Sequence, residues 1–514
     1  MSARTRAVRI VSGIGVVALL GAVVVGAGRL PTVEESAAAP GTAVTVPPAP
    51  ALLVCPGPLV LPEDRGGDDA FDPTPVDPVT GVQVVAADSG GGTVTTIDGS
   101  DTLGALQGGT QARTFDDVTD PLLVRADPSD DGPALVAAAG GGLVTAGDLR
   151  GLAAASCQPP TTDAWLVGGA TDLGTTTVLV LQNPGSTPAT VHLEVFGATG
   201  PVDLSTVQYL VAPGTQRVVV LGGTAPQERR VAVHLTATGG RVAAFLQSST
   251  LDGFTPTGTD LVVPGSPAAT RQVVPAVTLR ETDVDDPDAG VLRVLSPDVA
   301  TTARVRVLGP DGVRDLPGAA DLELPAGTVV DVPLGGLPAG QYTFVVDAAD
   351  PVVAGAMLAR PGDPTALDPD VPTRETAWVA SVSGTETGLL ALPTGTVGLL
   401  TLGAVASGDA LDASGGLRAT LRVIATDGTV AAEKSVDVPL GTTLTQELAE
   451  LAPDTDVAGV EIVTTDDERG RLAIGLVARV GQPDGTMLSV LTPVVGPDSG
   501  DGLVVRPDVR LGLS

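Results

Sequence analysis

The stretch "VHLEVFGATG" (191–200) returns as "ARVRVLGPDG" (303–312) and again as "ATLRVIATDG" (419–428). In each, Leu193 and Val195, Val305 and Val307, or Leu421 and Val423 fall on one side of an alternating pattern. His192 and Glu194, Arg304 and Arg306, or Thr420 and Arg422 fall on the other. A period of two predicts a strand with one buried and one wet face, because successive side chains of a strand point opposite ways. The closing Gly and Asp pieces are turn signals.

The resemblance extends outward from this strand. "VLVLQNPGSTPAT" (178–190) parallels "VLRVLSPDVATTA" (291–303), and a third copy with a longer insertion occupies 398–420. Each copy continues to "LVAPGT" (210–215), "ELPAGT" (323–328) or "DVPLGT" (437–442). Each ends on "VAAFLQ" (242–247), "VAGAMLAR" (353–360) or "LAIGLVAR" (472–479). The matching glycines Gly200, Gly312 and Gly428 stand 112 and 116 residues apart, too far for a solenoid unit or a propeller blade. Two copies open with "AW", at Trp165 and Trp378, where a core role is expected, and the middle one with "AV" at Val277.

This predicts an all-β chain of tandem β-sandwich, immunoglobulin-like modules. Sandwiches are expected over 161–268, 269–372 and 373–497, with Pro-rich joints at 263–270 and 361–373 and a tail at 498–514. A separate β-rich domain is expected over 51–160; it does not clearly match the repeats, and its "AGDLRGLAAAS" (146–156) reads as a short helix. Cys55 and Cys157 are the whole cysteine supply, an even count without CxxC, which favours one structural disulfide bracketing that domain. Closing a loop of roughly 100 residues is worth about 4.7 kcal/mol on the chain-entropy model.

The N-terminus reads as an address. Residues 1–9 carry Arg4, Arg6 and Arg9, and 10–28 run without a charge, long enough to span a bilayer with the N-terminus cytoplasmic and the bulk outside. A cleaved signal peptide is the alternative, with "VGA" (25–27) as its cleavage site. Ala18, Ala22 and Gly26 form a small-xxx-small face suited to helix packing. The Pro, Ala and Thr of 29–50 lack bulky groups and read as a stalk, so the modules are expected to be strung out from the membrane as a rod.

A net charge of −32 opposes binding to nucleic acid. Catalytic chemistry is sparse. There are two histidines, His192 and His234, both on outward faces, and neighbours on one sheet could form at most a weak metal site. No GxSxG, HExxH or phosphate-loop motif is present. Asp283, Asp285, Asp286 and Asp288 are spaced as in a calcium loop, but Val294 stands where an EF-hand needs its bidentate Glu, so a solvated turn is favoured. Glu63 and Asp64 could in principle act as glycosidase carboxylates, though sequence cannot fix their separation. With aromatics at 2%, sugar-stacking platforms are few.

The apolar anchor, "CPGPL" after the stalk, the "SCQPP…AWLVGGAT" junction and the "LQNPG…VHLEVFGATG…VAPGT" run together resemble a family of uncharacterised, membrane-anchored proteins of high-GC actinobacteria. That family is defined only as a domain of unknown function, and its genes tend to lie beside an envelope glycosyltransferase. The resemblance implies an envelope role and transfers no catalytic residue. The resulting expectation is a non-enzymatic protein of the cell membrane without cofactor, acting as scaffold or accessory factor for an envelope partner. The alternative is a binder of wall polysaccharide.

Overall fold

Alternation in the repeated stretch becomes burial in the folded chain. Leu193, Val195, Val305, Val307, Leu421 and Val423 are all buried, while His192, Glu194 and Arg304 face solvent. The computed structural model describes residues 42–44, 48–61, 74–493 and 503–505, apart from 131, 287, 365–368, 385–386, 409, 412–413 and 465–468. Two units are present, one of Ala49–Pro497 and one of Met1–Pro48 with Asp498–Ser514.

Strands are numbered from the N-terminus, and β1 (Thr42–Val44) lies in the smaller unit. The first module of the larger unit holds β2 (Ala51–Cys55), β3 (Val79–Asp88), β4 (Gly91–Thr96), β5 (Thr102–Leu106), β6 (Gln111–Asp116), β7 (Leu122–Asp127), β8 (Leu135–Val144) and β9 (Gly151–Ser156). Its two sheets are ordered β2-β7-β4-β5 and β6-β3-β8-β9. The second holds β10 (Asp163–Val167), β11 (Thr175–Asn183), β12 (Ala189–Gly197), β13 (Gly200–Pro201), β14 (Gln208–Val211), β15 (Thr215–Val220), β16 (Ala232–Thr238), β17 (Ala243–Asp252) and β18 (Thr255–Val262). The third holds β19 (Ala269–Leu279), β20 (Val291–Leu295), β21 (Thr301–Gly309), β22 (Gly312–Asp315), β23 (Leu322–Leu324), β24 (Val329–Pro333), β25 (Gly340–Pro364) and β26 (Pro372–Ala380). The fourth holds β27 (Thr387–Ala391), β28 (Val397–Ala406), β29 (Gly416–Ala425), β30 (Val430–Pro439), β31 (Thr443–Glu447), β32 (Val457–Thr464), β33 (Gly470–Gln482) and β34 (Gly485–Leu491). In the smaller unit β1 runs antiparallel to β35 (Leu503–Val505).

Counted by position, all four modules share one topology, with sheets ordered 1-6-3-4 and 5-2-7-8. In the second module β13 and β14 share the fourth position; in the third β22 and β23 share it, and the long β25 supplies both sixth and seventh. The central pairings, second with fifth and third with sixth, are those of an immunoglobulin sandwich, B with E and C with F. The flanks are exchanged: strand 1 joins 6 and strand 7 joins 2.

The first module, set apart on sequence, is thus a fourth copy. Its core of Val84, Val94 and Val124 uses small aliphatics that carry little positional signature. The "GLAAAS" expected to be helical is β9, buried at all six residues. A run of Ala has no period of its own, so the packing on both sides decides its conformation. Trp378, read as the opening of the last sandwich, lies in β26, the eighth strand of the third module, whereas Trp165 lies in the first strand of the second.

The modules do not form a rod. Their eighth strands meet: β9 packs on β18, β18 on β26, β26 on β34 and β34 on β9. Backbones approach closely there. A Cβ on Gly151 would lie 2.6 Å from Thr259 O, and one on Gly258 would lie 2.4 Å from Thr376 N. Each eighth strand is the edge of its own sheet, and a buried edge leaves N–H groups without ladder partners. Side chains of other modules accept them. Leu152 N–H donates to Glu375 Oε1 (2.9 Å), Ala154 N–H to Ser489 Oγ (3.3 Å) and Trp378 N–H to Asp260 Oδ2 (2.6 Å). A rod was expected because strand alternation reports one buried face per sheet and is blind to what covers an edge.

Cys55 and Cys157 are bonded, joining the end of β2 to the residue after β9 across 102 residues. Among the described residues no helix is long and apolar enough to cross a membrane. The expected anchor at 10–28, with Ala18, Ala22 and Gly26, lies outside the described residues, as do Glu63 and Asp64.

Candidate functional site

Three strands of the second module place a row of unlike residues on the outer face of the 1-6-3-4 sheet. In register, Trp165 of β10 lies opposite His234 of β16, and His234 opposite Glu194 of β12. The next row is Asp163, Thr236 and His192. Cross-strand neighbours on one face are close enough to interact directly, and here they do. The His234 ring stacks on Trp165 at 4.2 Å with 9° between planes. Its Nδ1 lies 2.9 Å from Glu194 Oε2 and its Nε2 lies 3.1 Å from Asp163 Oδ2.

The row forms one wall of a groove of about 650 Å³ between the second and third modules, closed on the far side by Pro297 and Asp298. Trp165 and Phe196, 5.6 Å apart, pack beneath it against Leu295, Val329 and Val353 of the third module. Trp165 therefore seals a seam between modules rather than filling a sandwich core. Trp378 is likewise at a seam, with the Arg293 guanidinium 4.9 Å above its ring. The carboxylates at the mouth stay wet, with Asp163 56% and Glu194 51% exposed, against 17% for His234.

Both nitrogens of His234 face carboxylates, and the lining among the described residues contains no Ser or Cys for a histidine to activate. The same sheet face in the third module carries the row Arg271, Asp347, Arg304, and in the fourth Leu389, Glu461, Arg422. There the charges neutralise one another: Arg271 Nε donates to Asp347 Oδ1 at 2.6 Å, and Arg422 Nη1 to Glu461 Oε2 at 2.7 Å. The topology is common and the decoration differs.

Among the described residues no group of three or more His, Cys, Asp or Glu is placed to hold a metal ion. The aspartates at 283–288 are dispersed: Arg280 binds Asp286 at 2.9 Å and Arg374 binds Asp288 at 2.5 Å. The strongly shifted carboxyls lie elsewhere, at the junction of the eighth strands. Burial pushes Asp260 up to about 8, against its hydrogen-bonding contacts with Trp378 N–H and Ser489 Oγ. Burial likewise pushes Glu375 up to about 8, against the Leu152 N–H and the charge of Arg150. Their partners come from neighbouring modules: backbone N–H groups of Leu152 and Trp378, the Ser489 hydroxyl and the Arg150 guanidinium.

Sequence reasoning placed His192, Glu194 and His234 outward correctly but did not join Glu194 to His234, 40 residues apart. Asp260 and Glu375 were missed, because "TGTDLV" and "TRETAW" look like ordinary strands whose acidic residues face water. The one available signal was a lone acid in an otherwise apolar or Thr-rich strand.

Among curated proteins none matches. A solved structure described as "Biofilm associated protein - BSP domain" is similar at 9% identity, over 90% of this chain and 99% of that one, with a TM-score of 0.13, too low to carry an argument. The family of unknown function DUF5719 matches residues 112–449, from within β6 through the second and third modules into the fourth, so the repeated region itself carries the kinship, and the chain belongs to that family.

Proposed function

We propose that this chain is a non-enzymatic, membrane-anchored protein of the cell envelope, acting as scaffold or accessory factor for an envelope partner. The observation that carries the reading is the junction of eighth strands, which packs the four modules together and with them the three differently decorated sheet faces of the second, third and fourth. A scaffold needs that packing, because each contact made at one face then positions the next. The disulfide supports an oxidising, extracytoplasmic location. The charge-free 10–28 run supports a single-pass anchor with the bulk outside. The likeness to actinobacterial proteins encoded beside an envelope glycosyltransferase makes such an enzyme the first partner to test.

The groove supports a second reading, a binder of wall polysaccharide. Asp163, Glu194 and Asp298 present hydrogen-bond acceptors at a mouth backed by the His234–Trp165 stack. Copurification of the full chain with the glycosyltransferase, lost when Ala18 and Ala22 are both replaced by Leu, is the outcome expected of the scaffold. Saturable, salt-tolerant pelleting of region 31–514 with isolated wall polymer, lost in Glu194→Gln with His234→Ala, and no copurifying enzyme, would replace it with the glycan reading.

A further inference from the structure

The junction gathers polar groups from all four modules, one from each of the first three and two from the fourth, all buried except Asp484. Arg150 precedes β9, Asp260 lies on β18, Glu375 on β26, and Asp484 and Ser489 come from the turn and strand of β34. Arg150 Nε bonds Asp484 Oδ2 at 2.6 Å, and its Nη1 lies 3.6 Å from Glu375 Oε2. Around Asp260, β17 contributes only its register partner Ser248, and Arg360 of β25 lies opposite Glu375 in register. One guanidinium thus lies in contact with two of the three carboxyls, and among the described residues none forms an ion pair with Asp260.

The hydrogen bonds place a proton. Ser489 Oγ lies 2.7 Å from Ala154 O and 2.7 Å from Asp260 Oδ1. The hydroxyl has one hydrogen, and Ala154 O can only accept. If Ser489 donates to Ala154 O, the short contact to Asp260 Oδ1 must be donated from the Asp260 side. With Asp260 ionised, one of the two contacts would press two lone pairs together. Its other oxygen, Oδ2, accepts from Trp378 N–H at 2.6 Å in either state.

We propose that Asp260 carries a proton and donates it to Ser489 Oγ, so that the four modules are held by a proton-dependent lock that loosens when this carboxyl ionises. The chain Asp260 O–H to Ser489 Oγ, then Ser489 O–H to Ala154 O, crosses from the second module to the fourth to the first, and Trp378 N–H adds the third. Burial of the carboxyl, holding it at about 8, agrees with this assignment. The sign follows. A carboxyl whose folded value is raised contributes stability that is fully present below about 4 and is lost as pH rises towards 8, because only the native state keeps the proton in that window.

The test compares the full chain with Asp260→Asn, whose amide donates to Ser489 and accepts from Trp378 N–H without titrating. In the infrared, the carbonyl stretch of a protonated carboxyl is expected at pH 7 in the parent, weakened in D260N and fading as pH passes 8. In thermal and denaturant unfolding, the parent should fall behind D260N by up to tenfold in folding constant per pH unit between about 4 and 8. A D260N-insensitive band, or a gap that stays constant across that range, overturns the proposal. If D260N does not fold, Glu375→Gln decides: a protonated-carboxyl band that survives there belongs to Asp260, and its disappearance overturns the lock.

Discussion

At the groove, two carboxylates sit half in water on either side of His234; at the junction, two carboxyls sit beside Ser489 and Arg150 with almost none. Both regions join strands of different sequence separation through acids, and both include a tryptophan. The difference lies in what each acid accepts from. In the groove the partner is an imidazole ring on the same sheet, bordered by half-exposed carboxylates. In the junction the partners are backbone N–H groups of other modules, which cannot move without opening the body. Water decides the role: a wet acid is available for recognition, and a dry one becomes part of the architecture.

The contrast can be tested by perturbing each region in turn. The largest effect is expected from reducing Cys55–Cys157, at about 4–5 kcal/mol of stability on the chain-entropy model. Calorimetry with and without reductant then shows whether the junction alone keeps the first module folded. Glu375→Ala comes next, at about 3 kcal/mol, since it orphans the Leu152 N–H and removes a partner of Arg150 in a dry site. Denaturant midpoints at pH 7 check it.

His234→Ala at the groove should cost about 1 kcal/mol, the scale of a half-exposed hydrogen-bonded pair, while quenching of Trp165 fluorescence by a small solute rises as the stacked ring is removed. At the bottom, Arg304→Ala on the exposed face of the third module should leave the midpoint unchanged although its pairing with Asp315 is bidentate. The pH axis separates the two kinds of acid. Asp98 and Asp427 are held below the usual range, chiefly by hydrogen bonds from Thr96 and Thr429, so their contribution is lost as pH falls below about 4. Glu375 and Asp260 act in the opposite sense, losing theirs as pH rises towards 8.

The sandwich, the repeat and the disulfide were legible because each is local: alternation within a strand, a returning turn, an even pair of cysteines. The strand order within a module was not, since hydrogen bonding between β16 and β12 or β25 and β19 depends on register across tens of residues. The fourth copy escaped because topology survives where Val84, Val94 and Val124 replace the residues that made the refrain audible. The junction escaped for a deeper reason. Pattern reading assigns polar residues in strands to the solvent, and Asp260 and Glu375 are polar residues facing another module's unpaired edge.

That edge sealing makes the four described modules depend on one another. In an open stack of repeats a unit can be gained or lost at either end, and the array merely grows or shrinks. Here the fourth eighth strand returns to the first, so removing any one of these four modules would uncover two neighbours at once, and each module's stability is tied to both of the modules beside it.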